Sequence, residues 1–213
     1  MELLQKGKII SLVSDAGTPT ISDPGYKLVN SAIQERILVT SVPGASAMLA
    51  ALTTSGLPTD RFLFLGFLPT REAAKQKTLK ALNEFRATLI FYESAKRLSA
   101  TVKTMADVLN PRAAVIAREL TKKYEEFWRG DLTALALKTS REREKKGEFV
   151  ILLGPPQAAE PPSNETVNQM LLEALGNKTL RDAATLVAQE TGLKRSDVYR
   201  QALKLKENII KTE

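Results

Sequence analysis

Histidine and cysteine are both missing from the 213 residues. Their absence removes disulfides, Cys/His zinc centres, Ser-His-Asp triads and any histidine general base. No apolar run approaches the roughly 18 residues of a membrane span. The opening MELLQKGKII lacks the apolar core and small-residue cleavage site of a signal peptide. On these grounds the chain reads as cytoplasmic. What is present is an ordinary globular mixture, 43% apolar and 26% charged, enough for a core in one or two domains.

Charge is unevenly spread. Lys and Arg number 31 against 24 Asp and Glu, a net charge of +7. Residues 1–62 carry five of each sign, and residues 158–213 carry eight of each. Residues 63–157 hold 18 basic and 11 acidic side chains, so the whole excess sits there. A basic region favours a polyanionic partner such as RNA, though a soluble surface with scattered lysines has the same balance.

The first third alternates short apolar runs with turn-rich loops. Residues 8–13 (KIISLV) and 37–42 (ILVTSV) read as strands. Pro24 opens a helix to about Glu35, and an Ala-rich helix over 45–55 closes at Gly56. Strand, loop, helix, strand at this pace reads as parallel α/β. The middle third continues with strands near 62–67, 88–92, 113–117, 124–128 and 148–153. Helices over 71–85, 94–109 and 131–139 alternate with them. A Pro-rich linker, GPPQAAEPPS, follows. Beyond it lie three helices, over 164–175, from Thr179 to Glu190, and from Lys194 or Ser196 onward. The Thr191-Gly192-Leu193 turn before the last one resembles a helix-turn-helix unit. A small dimerisation or capping domain would look the same.

Several strings sit where a strand ends and a helix begins, the place where open α/β sheets bind ligands. Ser14 to Gly25 (SDAGTPTISDPG) offers two carboxylates, several hydroxyls and two glycines that permit close backbone approach. It is neither a dinucleotide fingerprint nor a P-loop. A small polar zwitterion would suit it, and so would a connector with Asx and Ser/Thr caps. VPGASA repeats the placement, FYESAKR and ARELTK each put a Glu at the carboxyl end of a strand, and KGE opens the last strand. Surface ion pairs would explain their charges equally well.

In order and spacing, VSDAGTPTISDPGY, VPGASA, GLPTDRFLFLGFLP, LIFYES, ARELTK and KGEFVIL resemble the RsmI-type small-subunit ribosomal RNA methyltransferases. Those belong to the tetrapyrrole methylase superfamily. The resemblance covers about residues 5–153, and the helical tail is similar to that family's C-terminal domain. It implies an α/β, two-domain tetrapyrrole methylase fold with a truncated first domain and a C-terminal helix-turn-helix-like domain. The corresponding boundaries are 1–58, 59–154, a linker at 155–163, and 164–213. The implied reaction is S-adenosylmethionine-dependent methylation of a cytidine 2′-oxygen in the decoding region of 16S ribosomal RNA. A homodimer acting on the 30S subunit is implied, with no membrane and no metal.

Carried over by position, Ser14, Asp15, Ala16, Gly17, Ile21, Ser46, Ala47, Tyr92 and Glu119 would contact the cofactor. Glu93, Glu119 and Lys122 are the candidates for taking the acceptor proton, and no sequence feature ranks them. Arg71, Lys75, Lys96, Arg97, Lys194 and Arg195 would hold RNA phosphates. Two departures stand out. Relatives carry an earlier strand ending in a Pro-Ile-Gly-Asn type loop, which has no counterpart here. Their His after the Glu-Ser pair is replaced by Ala95-Lys96. The rival readings are a non-catalytic RNA-binding remnant and a methylase of a small macrocycle.

Overall fold

The computed structural model describes residues 1–109, 111–142, 146–157 and 162–210, with the side chains of 207–210 excepted. Parts of the expected linker (158–161) and the last three residues lie outside that set. The chain divides into two compact units, Met1–Gln157 and Ala158–Glu213.

In the first unit three helices come first, α1 (Glu2–Gln5), α2 (Tyr26–Gln34) and α3 (Ala47–Ser55). Five strands follow, β1 (Phe62–Phe67), β2 (Thr88–Ser94), β3 (Ala113–Arg118), β4 (Glu126–Asp131) and β5 (Glu148–Leu153). They alternate with α4 (Glu72–Ala81), α5 (Leu98–Leu109) and α6 (Leu132–Arg141). The five strands and three helices expected for residues 59–154 are therefore all present. They form one mixed sheet in the order β1-β2-β5-β3-β4. Only the β1–β2 pair is parallel; the other neighbours are antiparallel.

The alternation of side chains along a strand decides what each face buries. Leu89 and Phe91 of β2, with Phe149, Ile151 and Leu153 of β5, pack against Leu98, Val102 and Met105 of α5. Leu79 of α4 and Leu132 and Leu135 of α6 join the same cluster. The intervening residues Ile90, Val150 and Leu152 face Ala51 and Leu52 of α3. The central strands are thus buried on both sides, which is why they read as continuous apolar runs. Each buried Leu, Ile or Phe contributes about 2 kcal/mol relative to exposure.

Two polar devices fix the periphery. Arg112 is fully buried. Its guanidinium donates to the carbonyls of Gly154 (2.9 Å), Leu82 (3.0 Å) and Asn83 (2.5 Å). Burial pushes its pKa down from the usual arginine range. Arg129 of β4 donates to the carbonyls of Thr54 (2.7 Å) and Ser55 (3.4 Å) at the C-terminus of α3. A cation there satisfies otherwise unpaired helix carbonyls and tethers α3 to the sheet.

The two strands expected in the first third do not form: residues 8–13 and 37–42 belong to no ladder. Ile9 is 99% exposed and Leu38 is 87% exposed. Branched apolar residues favour a pleated, half-buried surface, but a strand exists only where a neighbour supplies hydrogen bonds. No described strand lies beside either segment. The expected α2 also starts later, at Tyr26, because Gly25 with φ 126° serves as its N-cap.

In the second unit α7 (Asn164–Leu175), α8 (Leu180–Thr191) and α9 (Arg195–Ile210) enclose Val167, Leu171, Ala183, Val187, Val198 and Ala202. Ser163 and Thr179 accept the backbone N–H groups of Thr166 and Asp182, so each caps its helix. Gly192 closes α8 in the left-handed conformation, φ 70°. The Thr-Gly-Leu turn is where the sequence puts it.

Candidate functional site

A cavity of about 440 Å³ opens in the first unit, where β1 and β2 end and β5 begins. Its size falls inside the roughly 300–1,000 Å³ typical of small-molecule sites. Its first wall is the loop before α2, contributing Asp15, Ala16, Gly17, Thr18, Ile21, Ser22 and Asp23. Ser46 and Ala47, at the start of α3, extend that wall. The opposite wall is built by Phe67, Tyr92 and Glu93 at strand ends, by Leu120 and Lys122 after β3, and by Gly147 to Val150.

Specific hydrogen bonds hold these pieces together. Thr18 Oγ1 donates to the Ala45 carbonyl (2.8 Å), tying the two helix-start loops to each other. The Met48 N–H donates to the Tyr92 hydroxyl (3.2 Å), tying α3 to β2. The Tyr92 ring sits edge-on to Phe64 and Phe67, with centroids 4.8 and 5.9 Å away. Burial raises the Tyr92 pKa, and the nearby Asp23 charge adds to that, so the phenol keeps its proton. Gly66, at φ 61°, lies where β1 loses its register with β2. A Cβ there would come within 3.1 Å of Ser22 Oγ. Its bare backbone lets the first loop approach the strand.

Backbone strain gathers around the same space. Among the described residues, five non-glycine positions have positive φ. Thr20 (71°) and Ser22 (59°) lie in the first loop, and Glu119 (48°) and Thr121 (62°) in the turn after β3. Such conformations cost of order 1–3 kcal/mol each and cluster at ligand sites.

The three proposed proton acceptors are now distinguishable. Glu93 is 2% exposed. Its carboxylate accepts from the Ser94 N–H (2.8 Å) and the Thr101 hydroxyl (2.7 Å), and pairs with Arg97 Nε at 3.3 Å. Its lone pairs are committed to the fold. Glu119 accepts the Glu148 N–H (3.0 Å) and lies 3.1 Å from Lys122 Nζ. The backbone donor of Glu148, then the Lys122 ammonium, hold its pKa below the usual carboxylate value. Lys122 also reaches Glu148 at 3.0 Å. Glu148 and Glu119 raise its pKa, so it is a fixed ammonium and not a depressed base. Gly147 makes this bridge possible: at φ 102°, a Cβ would fall 2.5 Å from Glu119 Oε1.

Of the sequence-derived cofactor residues, Asp15, Ala16, Gly17, Ile21, Ser46, Ala47 and Tyr92 face the cavity. Ser14 and Glu119 are not part of its lining. The Ser14 hydroxyl donates to the Gly17 carbonyl (3.3 Å), shaping the turn. Phe67 and Leu120 were not singled out from sequence. Their signal was an apolar residue at a strand end beside the charged strings. Among the phosphate-binding candidates, Arg71, Lys96, Lys194 and Arg195 are exposed. Lys75 is not: it is 4% exposed, with Nζ 3.0 Å from Glu72 Oε2. Helix α4 turns that side inward, beside Leu79. Arg97 is also turned inward, toward Glu93 and the Leu68 carbonyl (2.6 Å).

Asp15 and Asp23 carry carboxylates with no hydrogen bond or ion pair among the described residues. Two carboxylates on a glycine-containing loop suit hydroxyls and an ammonium. The apolar wall of Ile21, Phe67, Tyr92 and Leu120 suits a flat heterocycle. The donor set therefore fits a nucleoside linked to an amino acid. Among the described residues no cluster is suited to hold a metal ion, and no helix is long and apolar enough to cross a membrane.

The family model for Tetrapyrrole (Corrin/Porphyrin) Methylases matches residues 1–136. The model for the RsmI C-terminal HTH domain matches residues 161–206. A ribosomal RNA small subunit methyltransferase I of Mesorhizobium japonicum is 45% identical over 206 residues, covering 96% of this chain and 69% of that protein. The protein of the same name from Halalkalibacterium halodurans is 43% identical, covering 92% and 70%. Among solved structures, the methyltransferase CobJ superposes with a TM-score of 0.54 at 19% identity, covering 72% of this chain and 67% of its own. That likeness concerns the fold.

Proposed function

We propose, since the chain belongs to the ribosomal RNA small subunit methyltransferase I family, that it methylates small-subunit ribosomal RNA with S-adenosylmethionine. The acceptor in this reading is a cytidine 2′-oxygen in the decoding region of 16S RNA. The observation that carries the reading is the convergence of the SDAGTP loop, the Ser46–Ala47 helix start and the β2 end on one cavity.

The cofactor would supply an electrophilic methyl group on sulfur. Asp15 and Asp23 would bind its hydroxyl and ammonium groups, while Ile21, Phe67 and Leu120 would exclude water from the apolar part. We divide the first unit into a cofactor-binding part at 1–58 and a second α/β domain at 59–154, with the cavity between them. The enzyme's main task is alignment of the attacking oxygen behind the methyl group. None of Glu93, Glu119 and Lys122 is a free base. The ribose proton therefore leaves to water at the cavity mouth, during or after attack. The Lys122 ammonium, neutralised between Glu119 and Glu148, holds the rim of the cavity in place, and RNA phosphates would be met by exposed Arg71, Lys96, Lys194 and Arg195. The working form in this reading is a cytoplasmic homodimer acting on the 30S subunit.

A second reading, an RNA-binding protein without catalysis, is favoured by one observation. Residues 8–13 and 37–42, which lead into the cavity loops, are unpaired and expose Ile9 and Leu38. Titration calorimetry with S-adenosylhomocysteine separates the two. Micromolar binding, about −8 kcal/mol, is expected, followed by transfer of a labelled methyl group to 30S subunits and recovery of 2′-O-methylcytidine on digestion. A folded chain that takes up no S-adenosylhomocysteine leaves the second reading in possession.

A further inference from the structure

The first unit has another cavity, at the opposite end of the same two parallel strands. Phe62 pairs with Thr88 where β1 and β2 start, and Phe67 pairs with Tyr92 where they end at the cofactor cavity. Five steps of about 3.3 Å separate the two ends by roughly 16 Å. The second cavity has a volume of about 470 Å³. It is lined by Asp60, Arg61, Phe62, Phe85, Arg86 and Ala87.

Its chemistry differs from that of the first. Phe62 and Phe85 are 42% and 45% exposed. Neither ring belongs to an apolar cluster of the unit. The main chain beneath them is fixed, since the Thr88 N–H donates to the Arg61 carbonyl (2.9 Å) and the Ala87 N–H to the Phe85 carbonyl (3.0 Å). Among the described residues no ion pair or hydrogen bond engages the guanidinium of Arg61 or Arg86. Asp60 supplies one carboxylate, so the lining keeps one net positive charge. Two half-open rings and two unengaged guanidinium groups, held on a rigid strand start, form a surface for a planar anionic ligand. Rings stack on bases whatever their identity, and guanidinium groups stack on bases or bind phosphate oxygens in pairs.

We propose that this cavity binds an unpaired nucleotide of single-stranded RNA, its base stacked on Phe85, the more exposed ring, and its phosphate on the adjoining Arg86. It would grip the substrate strand away from the nucleotide being modified. The inference rests on the RNA methyltransferase reading for its biological meaning, but its test does not need methyl transfer.

The test is fluorescence anisotropy of the full chain with a labelled single-stranded RNA hexamer, without cofactor. Phe85→Leu keeps an apolar side chain but removes the stacking face, and is expected to weaken hexamer binding about tenfold. Arg86→Gln is expected to lower the slope of log affinity against log salt by about 0.7, one phosphate contact on a single strand. Both variants should keep the wild-type melting temperature and S-adenosylhomocysteine affinity. Unchanged hexamer affinity and salt slope in both variants, or no hexamer binding by the wild type, overturns the proposal. So does a change of oligomeric state in the variants with RNA binding intact, which would give this face to a protein contact. In any of these cases methyl transfer to 30S subunits could persist, and the proposed function would stand. Conversely, a chain that binds the hexamer through Phe85 but takes no S-adenosylhomocysteine keeps this site and loses the methyltransferase reading.

Discussion

The two walls of the cofactor cavity are built in opposite ways. One wall is the ends of β2 and β5, whose residues pair along six registers and bury Phe91, Ile151 and Leu152 completely. The other is the loop of residues 14–23 with the start of α3, reached through the unpaired segments 8–13 and 37–42. The first wall is held by the core of the whole unit. The second is held by α3 on the sheet, the Thr18–Ala45 bond and the Met48–Tyr92 bond. A preformed wall and a lightly tethered one mean that ligand binding and global stability respond to different substitutions. Amide exchange gives the direct contrast: slow at 88–94 and 148–153, fast at 8–13 and 37–42, with S-adenosylhomocysteine slowing residues 14–23. Equal protection of the two walls would remove the distinction.

The largest effect is expected at Arg112, far from the cavity, beside the end of β5. Arg112→Met would leave two buried carbonyls and a partly buried one without their donor, a loss of about 4 kcal/mol in urea unfolding. The cavity should nonetheless keep its ligand affinity under conditions where the variant is folded. Leu52→Ala comes next. It opens the contact of α3 with Ile90 and Val150 and should cost about 3 kcal/mol. Here ligand affinity should fall with stability, because α3 carries Ser46 and Ala47. If Arg112→Met weakened the ligand as much as Leu52→Ala, the two walls would not be separable. Thr18→Val is smaller and more selective. It removes one hydrogen bond between the two loops, about 1 kcal/mol or fivefold in S-adenosylhomocysteine affinity, and should leave the melting temperature unchanged.

The same contrast explains what could be read from sequence. Strands 88–94 and 148–153 are runs of apolar residues whose neighbours lie within this chain, so pattern and pairing agree. Residues 8–13 carry an equally good pattern, but pairing is a property of two segments, and among the described residues no strand pairs with them. Side-chain direction was the other blind spot. Lys75 and Arg97 sit in basic strings that read as phosphate-binding surface, yet Glu72 and Glu93 draw them inward. Which carboxylate is free was invisible for the same reason: Glu93, Glu119, Asp15 and Asp23 are alike in sequence. Only the hydrogen bonds separate them. The loop that would meet the cofactor was legible because its turn residues and acids are contiguous.

The smallest effect concerns the strand wall's own rim, where Glu119 meets Lys122 and Glu148. The pKa of Glu119 is lowered in the folded state, first by the Glu148 N–H and then by Lys122. A depressed carboxylate stabilises the fold at pH values above its unfolded pKa, about 4.3. That contribution is lost as pH falls through the lower, folded value. The Lys122 pKa is raised, so its share is complete below about pH 10.4 and lost only as pH rises through the folded value. Neither group changes charge between pH 6 and 9, so the rim should keep one ionic state across the working range. Glu119→Gln retains an acceptor for the Glu148 N–H but removes the titration. Its urea midpoint should decline less steeply than that of the wild type between pH 5 and pH 2. Parallel acid limbs for the two proteins would mean that the Glu119–Lys122–Glu148 bridge is too screened by solvent to hold the turn after β3 over the cavity.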